Sequence, residues 1–283
     1  MTALSTLRTD LRVRLKETTA AYFTDAELLV WLNYGYREFI RKTEWTERVK
    51  AYPLVANQFD YALPSDVLKV VGIFWQDQYK LTPRDLEDFY NHLGAGFPSS
   101  GSPPKDYRLF PHGTKFRIHP RPSSASAAST LTGTHNTSVT TLNVTDTTDF
   151  PSSGYAIIGT EQVQYLAKTS TTLLQVTRGD GGTTAGSYSA AQAITTAPLL
   201  MYYQYLPADL AGDSTEVETP NQYDSVIVEY ALALGLEKAE KYENSKYHRS
   251  KAESAMKEAL EERTKMQKDQ HFFIKDAYFD GMM

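Results

Sequence analysis

Residues Thr24 to Trp45 read TDAELLVWLNYGYREFIRKTEW, and this stretch decides the fold of one end of the chain. Thr24 is an N-cap candidate with Glu27 three residues on, the spacing at which each side chain satisfies a free backbone N–H of the other's residue. Leu28, Leu32, Tyr36, Phe39 and Ile40 then recur at helical spacing. Trp31 and Trp45 are large for a solvated face. The segment predicts a helix with one face for a core and a second for a neighbour, and it holds no catalytic motif.

The other end has the same character. Thr219-Pro220-Asn221-Gln222 reads as a second capping box with Pro220 at the first helical position. Tyr223, Val226, Ile227, Tyr230, Ala231 and Leu234 follow at helical spacing. Asn244 and Ser245 are expected to break the helix. Ala252, Ala255, Met256, Ala259 and Leu260 then form a narrow stripe of mostly small residues. Leu4, Leu7, Leu11 and Leu15 mark an N-terminal helix, which completes a set of about four.

Between these ends the pattern changes to strands. Phe59, Tyr61 and Leu63 alternate, Val67–Trp75 is an apolar β-branched run, and Gln76-Asp77-Gln78 offers a turn into Tyr79-Lys80-Leu81. Thr82-Pro83 opens a short helix carrying Leu86, Phe89 and Tyr90. Tyr107–Phe110 and Phe116–His119 form a hairpin. From Ser123 the chain becomes rich in Ser and Thr and poor in charge. A disordered linker is one reading. A small β domain is preferred, because Thr141–Val144, Tyr155–Ile158, Glu161–Leu166 and Thr172–Val176 alternate between turn signals. Leu200–Leu206 returns to the earlier aromatic style, so Phe116–His119 and Met201–Tyr205 are expected to be adjacent strands of one parent domain. The fold class is therefore α+β: a helical bundle of about four helices with short strands, residues 1–123 and 198–269, and an inserted all-β domain, residues 124–197. Residues 270–283 form an extended tail.

Composition narrows the function. The 283 residues carry a net charge of −5, which gives no general attraction to nucleic acid or anionic membrane. No cysteine is present, which excludes a disulfide framework, a thiolate zinc site and a cysteine nucleophile. No signal peptide or membrane-spanning run is expected. The six histidines (His92, His112, His119, His135, His248, His271) lack metal-ligand spacing, so no metal and no cofactor is expected. Arg178-Gly179-Asp180-Gly181-Gly182 lacks the lysine and spacing of a phosphate loop. A hairpin turn explains it better than an adhesion tripeptide. The nineteen tyrosines point to contact surfaces. The tail HFFIKDAYFDGMM concentrates Phe272, Phe273, Ile274, Tyr278 and Phe279. It either folds back on its own core or docks on another subunit, and docking is favoured because aromatic anchors dominate interface energetics.

The helix at 24–45 ending in RKTEW, the turn Tyr61-Ala62-Leu63-Pro64-Ser65-Asp66 and the run Tyr230–Lys238 occur here in a set order. That order resembles the head–tail adaptor (connector) proteins of tailed bacteriophages, over roughly 1–122 and 199–270. The resemblance implies a non-enzymatic virion protein made in the host cytoplasm. It implies a homo-oligomeric ring, a dodecamer, beneath the portal protein and around the channel through which double-stranded DNA leaves. A tail or nozzle protein would be the partner on the far side, with no membrane contact. The C-terminal arm of that family reaches the portal, which assigns portal docking to Phe272, Phe273, Ile274, Tyr278 and Phe279. Trp31, Trp45, Tyr223 and Tyr230 are assigned to the core or a subunit seam. The segment from Gly159 to Tyr165, with Val176-Thr177-Arg178-Gly179, is similar to small β modules of phage structural proteins. Two rival readings are a carbohydrate- or cell-surface-binding virion module acting through the β segment, and a hydrolase without a known motif.

Overall fold

The computed structural model describes residues 1–17, 20–85, 87–88, 103–110 and 114–279, with side chains described as far as Met266. The chain is α+β and divides into two compact units, residues 1–46 with 205–283, and residues 47–204. These bounds differ from the sequence expectation, because residues 124–197 lie wholly inside the second unit.

The first unit is helical. It contains α1 (Leu4–Leu15), α2 (Asp25–Thr43), a 3-10 turn at Asn221–Tyr223, α3 (Asp224–Lys238) and α4 (Tyr242–Phe279). The capping box that starts α2 is formed as its sequence predicts: Thr24 accepts from the Glu27 N–H, and Glu27 accepts from the Thr24 N–H at 3.0 Å. Leu4, Leu7 and Leu11 of α1 share a core with Leu28, Leu32, Tyr36, Phe39 and Ile40 of α2. Helix α3 is central. Val226, Ile227, Val228, Ala231, Leu232 and Ala233 are all buried, so it turns apolar sides to more than one neighbour. Close approach of α2 and α3 depends on Gly35. A Cβ there would sit 2.6 Å from the Ile227 carbonyl oxygen. Ala252, Met256 and Ala259 of α4 complete the core, where small side chains let the helix come close.

Two local expectations at this end are corrected. Pro220 is extended (ψ 138°) and caps a 3-10 turn, so α3 starts at Asp224, and the buried Thr219 hydroxyl makes no capping bond. The break between the last helices falls at Ala239–Lys241, where Glu240 takes a left-handed φ of 58°. Asn244 and Ser245 lie inside α4, and the buried Ser245 hydroxyl bonds the Glu237 carboxylate at 3.1 Å. The backbone of α4 is helical to Phe279, so residues 270–279 are not extended as expected.

The second unit is built of strands in four sheets. The first sheet has the order β1 (Arg48–Tyr52), β16 (Leu199–Tyr205), β3 (Val67–Trp75), β4 (Tyr79–Lys80). Its last strand, β16, ends at the boundary between the units. The second has the order β2 (Asp60–Ala62), β7 (Lys115–His119), β6 (Asp106–Leu109), β5 (Thr82–Pro83). The expected pairing of Phe116–His119 with Met201–Tyr205 does not occur. Strand β7 is already paired on both sides by β2 and β6, and β16 by β1 and β3, so neither has a free edge. Thr82-Pro83 does not open a helix, because its backbone is drawn into parallel pairing with β6, with Thr82 N–H donating to Lys105 O at 2.9 Å. Leu86, Phe89 and Tyr90 lie outside the described residues.

Residues 124–197 are folded, not a linker. They supply a five-stranded antiparallel sheet, in the order β14 (Thr177–Asp180), β11 (Glu161–Tyr165), β10 (Gly154–Ile158), β15 (Ala193–Thr196), β8 (Ala128–Thr130). A three-stranded sheet of β12 (Ala167–Lys168), β13 (Thr172–Leu174) and β9 (Thr141–Asn143) accompanies it. Leu131, Leu142, Val144, Ala156, Ile158, Val163, Tyr165, Leu173 and Ile194 form their core. A buried side chain ties this region to β1 by hydrogen bonds. Gln162 accepts from Ala51 N–H at 2.8 Å and donates to Val49 O at 3.0 Å. Gly181 lies against the same strand with φ 62°, and any Cβ there would fall 2.4 Å from Val49 O. No other residue type fits that conformation and that space together.

Candidate interaction surfaces

Two features of the helical unit stand out, a buried charge and an exposed apolar stripe. Glu229 of α3 is buried, yet its carboxylate receives Arg14 from α1 at 2.7 Å, and Lys251 (2.7 Å) and His248 (2.6 Å) from α4. Burial alone pushes its carboxyl up. The bonds from Lys251 and His248 outweigh that and hold it below the ordinary carboxylate range. One acid thus fixes three helices. The second feature is a stripe on α2. Val30 and Tyr34, at i and i+4, are 52% and 57% exposed, on the side away from Leu28, Leu32 and Phe39. Tyr22, Tyr242 and Tyr247 are also exposed in this unit.

The residues singled out from the sequence are placed as follows. Trp31 is half-buried, edge-to-face with Phe23 at 5.8 Å between ring centroids. Trp45 is half-buried and edge-to-face with Tyr223 at 5.0 Å. Tyr223 is buried and also tilts against Phe39 at 5.3 Å, while its hydroxyl donates to Glu262 of α4. Tyr230 is half-buried, with the Arg249 guanidinium over its ring at 5.7 Å. Tyr223 and Trp45 therefore meet, whereas Trp31 sits with Phe23 in a separate contact. Phe272, Phe273, Ile274, Tyr278 and Phe279 lie on the helical stretch of α4 whose side chains fall outside the described residues.

The tyrosines divide between two roles. Tyr36, Tyr52, Tyr61, Tyr107, Tyr165, Tyr203 and Tyr205 are buried, so many serve cores rather than contact surfaces. Burial raises the hydroxyls of Tyr36, Tyr52 and Tyr165 above their ordinary value, which keeps them protonated donors.

In the β unit the sheet of β2, β7, β6 and β5 has two unlike faces. One is aromatic core, where Tyr61 stacks on Phe116 at 5.6 Å and Tyr52 meets Phe116 edge-on at 5.3 Å. The other interleaves cations with rings. Around Phe110, the Lys115 ammonium and the Arg108 and Arg117 guanidinium groups stand 4.6, 4.9 and 5.2 Å from the centroid. Around Phe59, Arg117 stands at 5.6 Å and Arg121 at 5.7 Å. Asp60 accepts from Arg117 at 2.6 and 3.0 Å and from Lys115 at 2.8 Å. The Arg117 bond above all holds its carboxyl below the usual range. Such cation–ring contacts contribute about 0.5–1 kcal/mol each at exposed sites. Sequence reasoning missed this face, although its signal was present in the alternation of Arg108 with Phe110 and Lys115 with Arg117.

The adhesion reading of Arg178-Gly179-Asp180 has no accessible arginine behind it. Arg178 donates to the fully buried Glu161 through Nε at 2.7 Å and Nη2 at 2.8 Å, and to the Asn136 and Gly186 carbonyls at 2.6 Å each. Of the histidines whose surroundings are described, His119 stands 3.9 Å from the Asp106 carboxylate, His135 is buried against the Thr132 carbonyl (3.1 Å) and His248 binds Glu229. His92 and His112 lie outside the described residues, as does the His271 side chain. Among the described residues no cluster of His, Cys, Asp or Glu has the arrangement to hold a metal ion, and no helix is long and apolar enough to cross a membrane.

The described residues thus present helices locked by buried charge and faces with exposed aromatic side chains. Comparison with known families gives that character a class: residues 1–168 match the model of the SU10 adaptor protein family. The chain belongs to that family, and with it to the phage structural adaptors, virion proteins that act through contacts with other virion proteins. The match runs through α1, α2 and β1–β12, and ends before β13, leaving α3 and α4 beyond it. No curated protein matches the chain.

Proposed function

We propose that the protein joins the portal to the tail as a head–tail adaptor, in a homo-oligomeric ring around the DNA exit channel, without enzymatic activity. Family membership is the observation that carries this reading. Two structural features support it. The exposed Val30 and Tyr34 leave a stripe of α2 open for a neighbouring subunit, beside a helical core already fixed by Glu229. Helix α4 has 38 residues and carries the aromatic positions of the tail at its C-terminal end. That end is the arm that would reach the portal with Phe272, Phe273, Ile274, Tyr278 and Phe279. A ring multiplies the effect of a weak arm, because each bound subunit raises the effective concentration of the next.

Mass measurement of the protein alone and mixed with its portal tests the reading. The expected result is one discrete multimer, formed alone or on the portal, with the same symmetry on each portal. A protein that stays monomeric in both conditions overturns it.

A further inference from the structure

The β unit contains a cleft of about 320 Å³ that the adaptor role does not use. It is lined by Trp75 and Asp77 from the β3–β4 hairpin, by Tyr155 of β10 and Gln164 of β11, and by Asp149 and Ser126. The volume is at the small end of the range for small-molecule sites, roughly 300–1,000 Å³. Its lining holds two carboxylates, several hydroxyls and an indole, and no Lys, Arg or His. That chemistry disfavours phosphates and other anions. It suits a ligand rich in hydroxyl donors that also has an apolar face.

The hairpin at the rim adds an independent observation. Gln76 and Asp77 both take left-handed conformations, with φ 47° and 59°. Together they turn the three-residue connection Gln76–Gln78, closed by Gln78 N–H donating to the Trp75 carbonyl at 2.9 Å, and glycine and asparagine ordinarily supply such positions. Strained residues of this kind persist only where the surroundings over-determine them, and they cluster at ligand sites. Here the surroundings do so. Gln76 N–H donates to the Pro198 carbonyl at 2.7 Å, and the Tyr202 hydroxyl donates to Asp77 Oδ1 at 2.7 Å. Asp77 is thereby held at the lining of the cleft by its backbone and by one bond. Burial pushes the Tyr155 hydroxyl up to about 12, so it stays a donor and acceptor throughout the ordinary pH range.

We propose that this cleft binds a short neutral saccharide, with Trp75 presenting a ring face to the sugar C–H groups and Asp77 and Asp149 accepting from its hydroxyls. Hydrogen bonds to carboxylates are about twice as strong as neutral ones, which gives two anchors their value in a small site. Residues 124–197 alone would not reconstitute the site, because Trp75 and Asp77 lie outside them.

The test uses the full chain and saturation-transfer NMR with three neutral trisaccharides, ending in glucose, galactose and N-acetylglucosamine. At least one should receive saturation and perturb tryptophan fluorescence. Asp77→Asn keeps the turn, since asparagine tolerates this conformation, and should weaken binding at least tenfold. Trp75→Ala should abolish it, and circular dichroism checks that each variant is folded. A sialic acid cap on the bound sugar should weaken it at least tenfold. No binding to any of the three, binding unchanged in Asp77→Asn, or preference for the sialylated form overturns the proposal. So does tighter binding of N-acetyl-lysine amide, which would assign the cleft to a cationic side chain of a protein partner.

Discussion

Glu161 in the β unit and Glu229 in the helical unit are both buried carboxylates, and the two are held differently. In the β unit Glu161 is fully buried and takes its partners from one strand and the loop that follows it: Arg178 twice, and the N–H groups of Gly179 and Gly186 at 2.9 Å each. In the helical unit Glu229 takes its partners from two other helices, Arg14 of α1 and Lys251 and His248 of α4, all partly exposed. The first arrangement fixes the pairing of β11 with β14 and the loop that follows β14. The second fixes the mutual placement of three helices. A buried charge can therefore specify one strand and its loop or the packing of several elements, depending on whether its partners come from one segment or from separate helices.

The comparison can be broken most sharply at Arg178. Arg178→Ala leaves Glu161 buried with two backbone donors and no opposite charge. Removing one partner of a buried pair typically costs about 3–5 kcal/mol, so denaturant unfolding of the β unit, followed through Trp75, should shift by that order. A shift near zero would mean that the pair is not buried in solution. On the helical side, Trp45→Ala removes the ring that meets Tyr223. Large aromatic truncations cost about 3–5 kcal/mol when fully buried, and the half-burial of Trp45 places the expected loss at the lower end. Unchanged helical unfolding by circular dichroism would remove Trp45 from the core.

Acid should separate the units less strongly but more specifically. The folded-state carboxyl of Glu229 is held below its ordinary value, so its contribution is complete above that value, near 4.5, and is lost as pH falls through the lower, folded value. Glu229→Gln should flatten the acid limb of helical-unit stability while costing about 1–3 kcal/mol at neutral pH. An acid limb as steep as in the wild type would show that other carboxylates dominate it. The smallest effect on stability is expected from deleting residues 270–283. That truncation should leave both unfolding transitions in place and abolish attachment to portal-bearing heads. Normal attachment by the truncated protein would move the anchor to another surface.

Periodicity made the helices legible. The capping box at Thr24, the leucines of α1 and the buried face of α2 need only local spacing, and Thr141–Asn143, Gly154–Ile158 and Glu161–Tyr165 alternate clearly enough to be read as strands. Strand partners were not legible. Nothing local in Lys115–His119 says that both its edges are taken, and Thr82-Pro83 is held by Lys105 and Tyr107, more than twenty residues away. Capping residues also misled where context prevailed, as at Thr219, whose hydroxyl is buried beside an extended Pro220. The cation–ring face around Phe59 and Phe110 and the cleft beside Trp75 share the same obstacle, since each assembles residues from separated segments.

Helix α4 also has a phase. An α-helix turns roughly 100° and advances about 1.5 Å per residue. The stretch beyond Arg263 therefore behaves as a stiff dial whose pointer is set by residue count. One residue inserted between 264 and 269 would swing everything distal by more than a quarter turn, whereas seven, about two turns, would return it to nearly the same heading some 10 Å further out. The angular register of this end of the helix, not only its length or its aromatic content, is thus set by residue count.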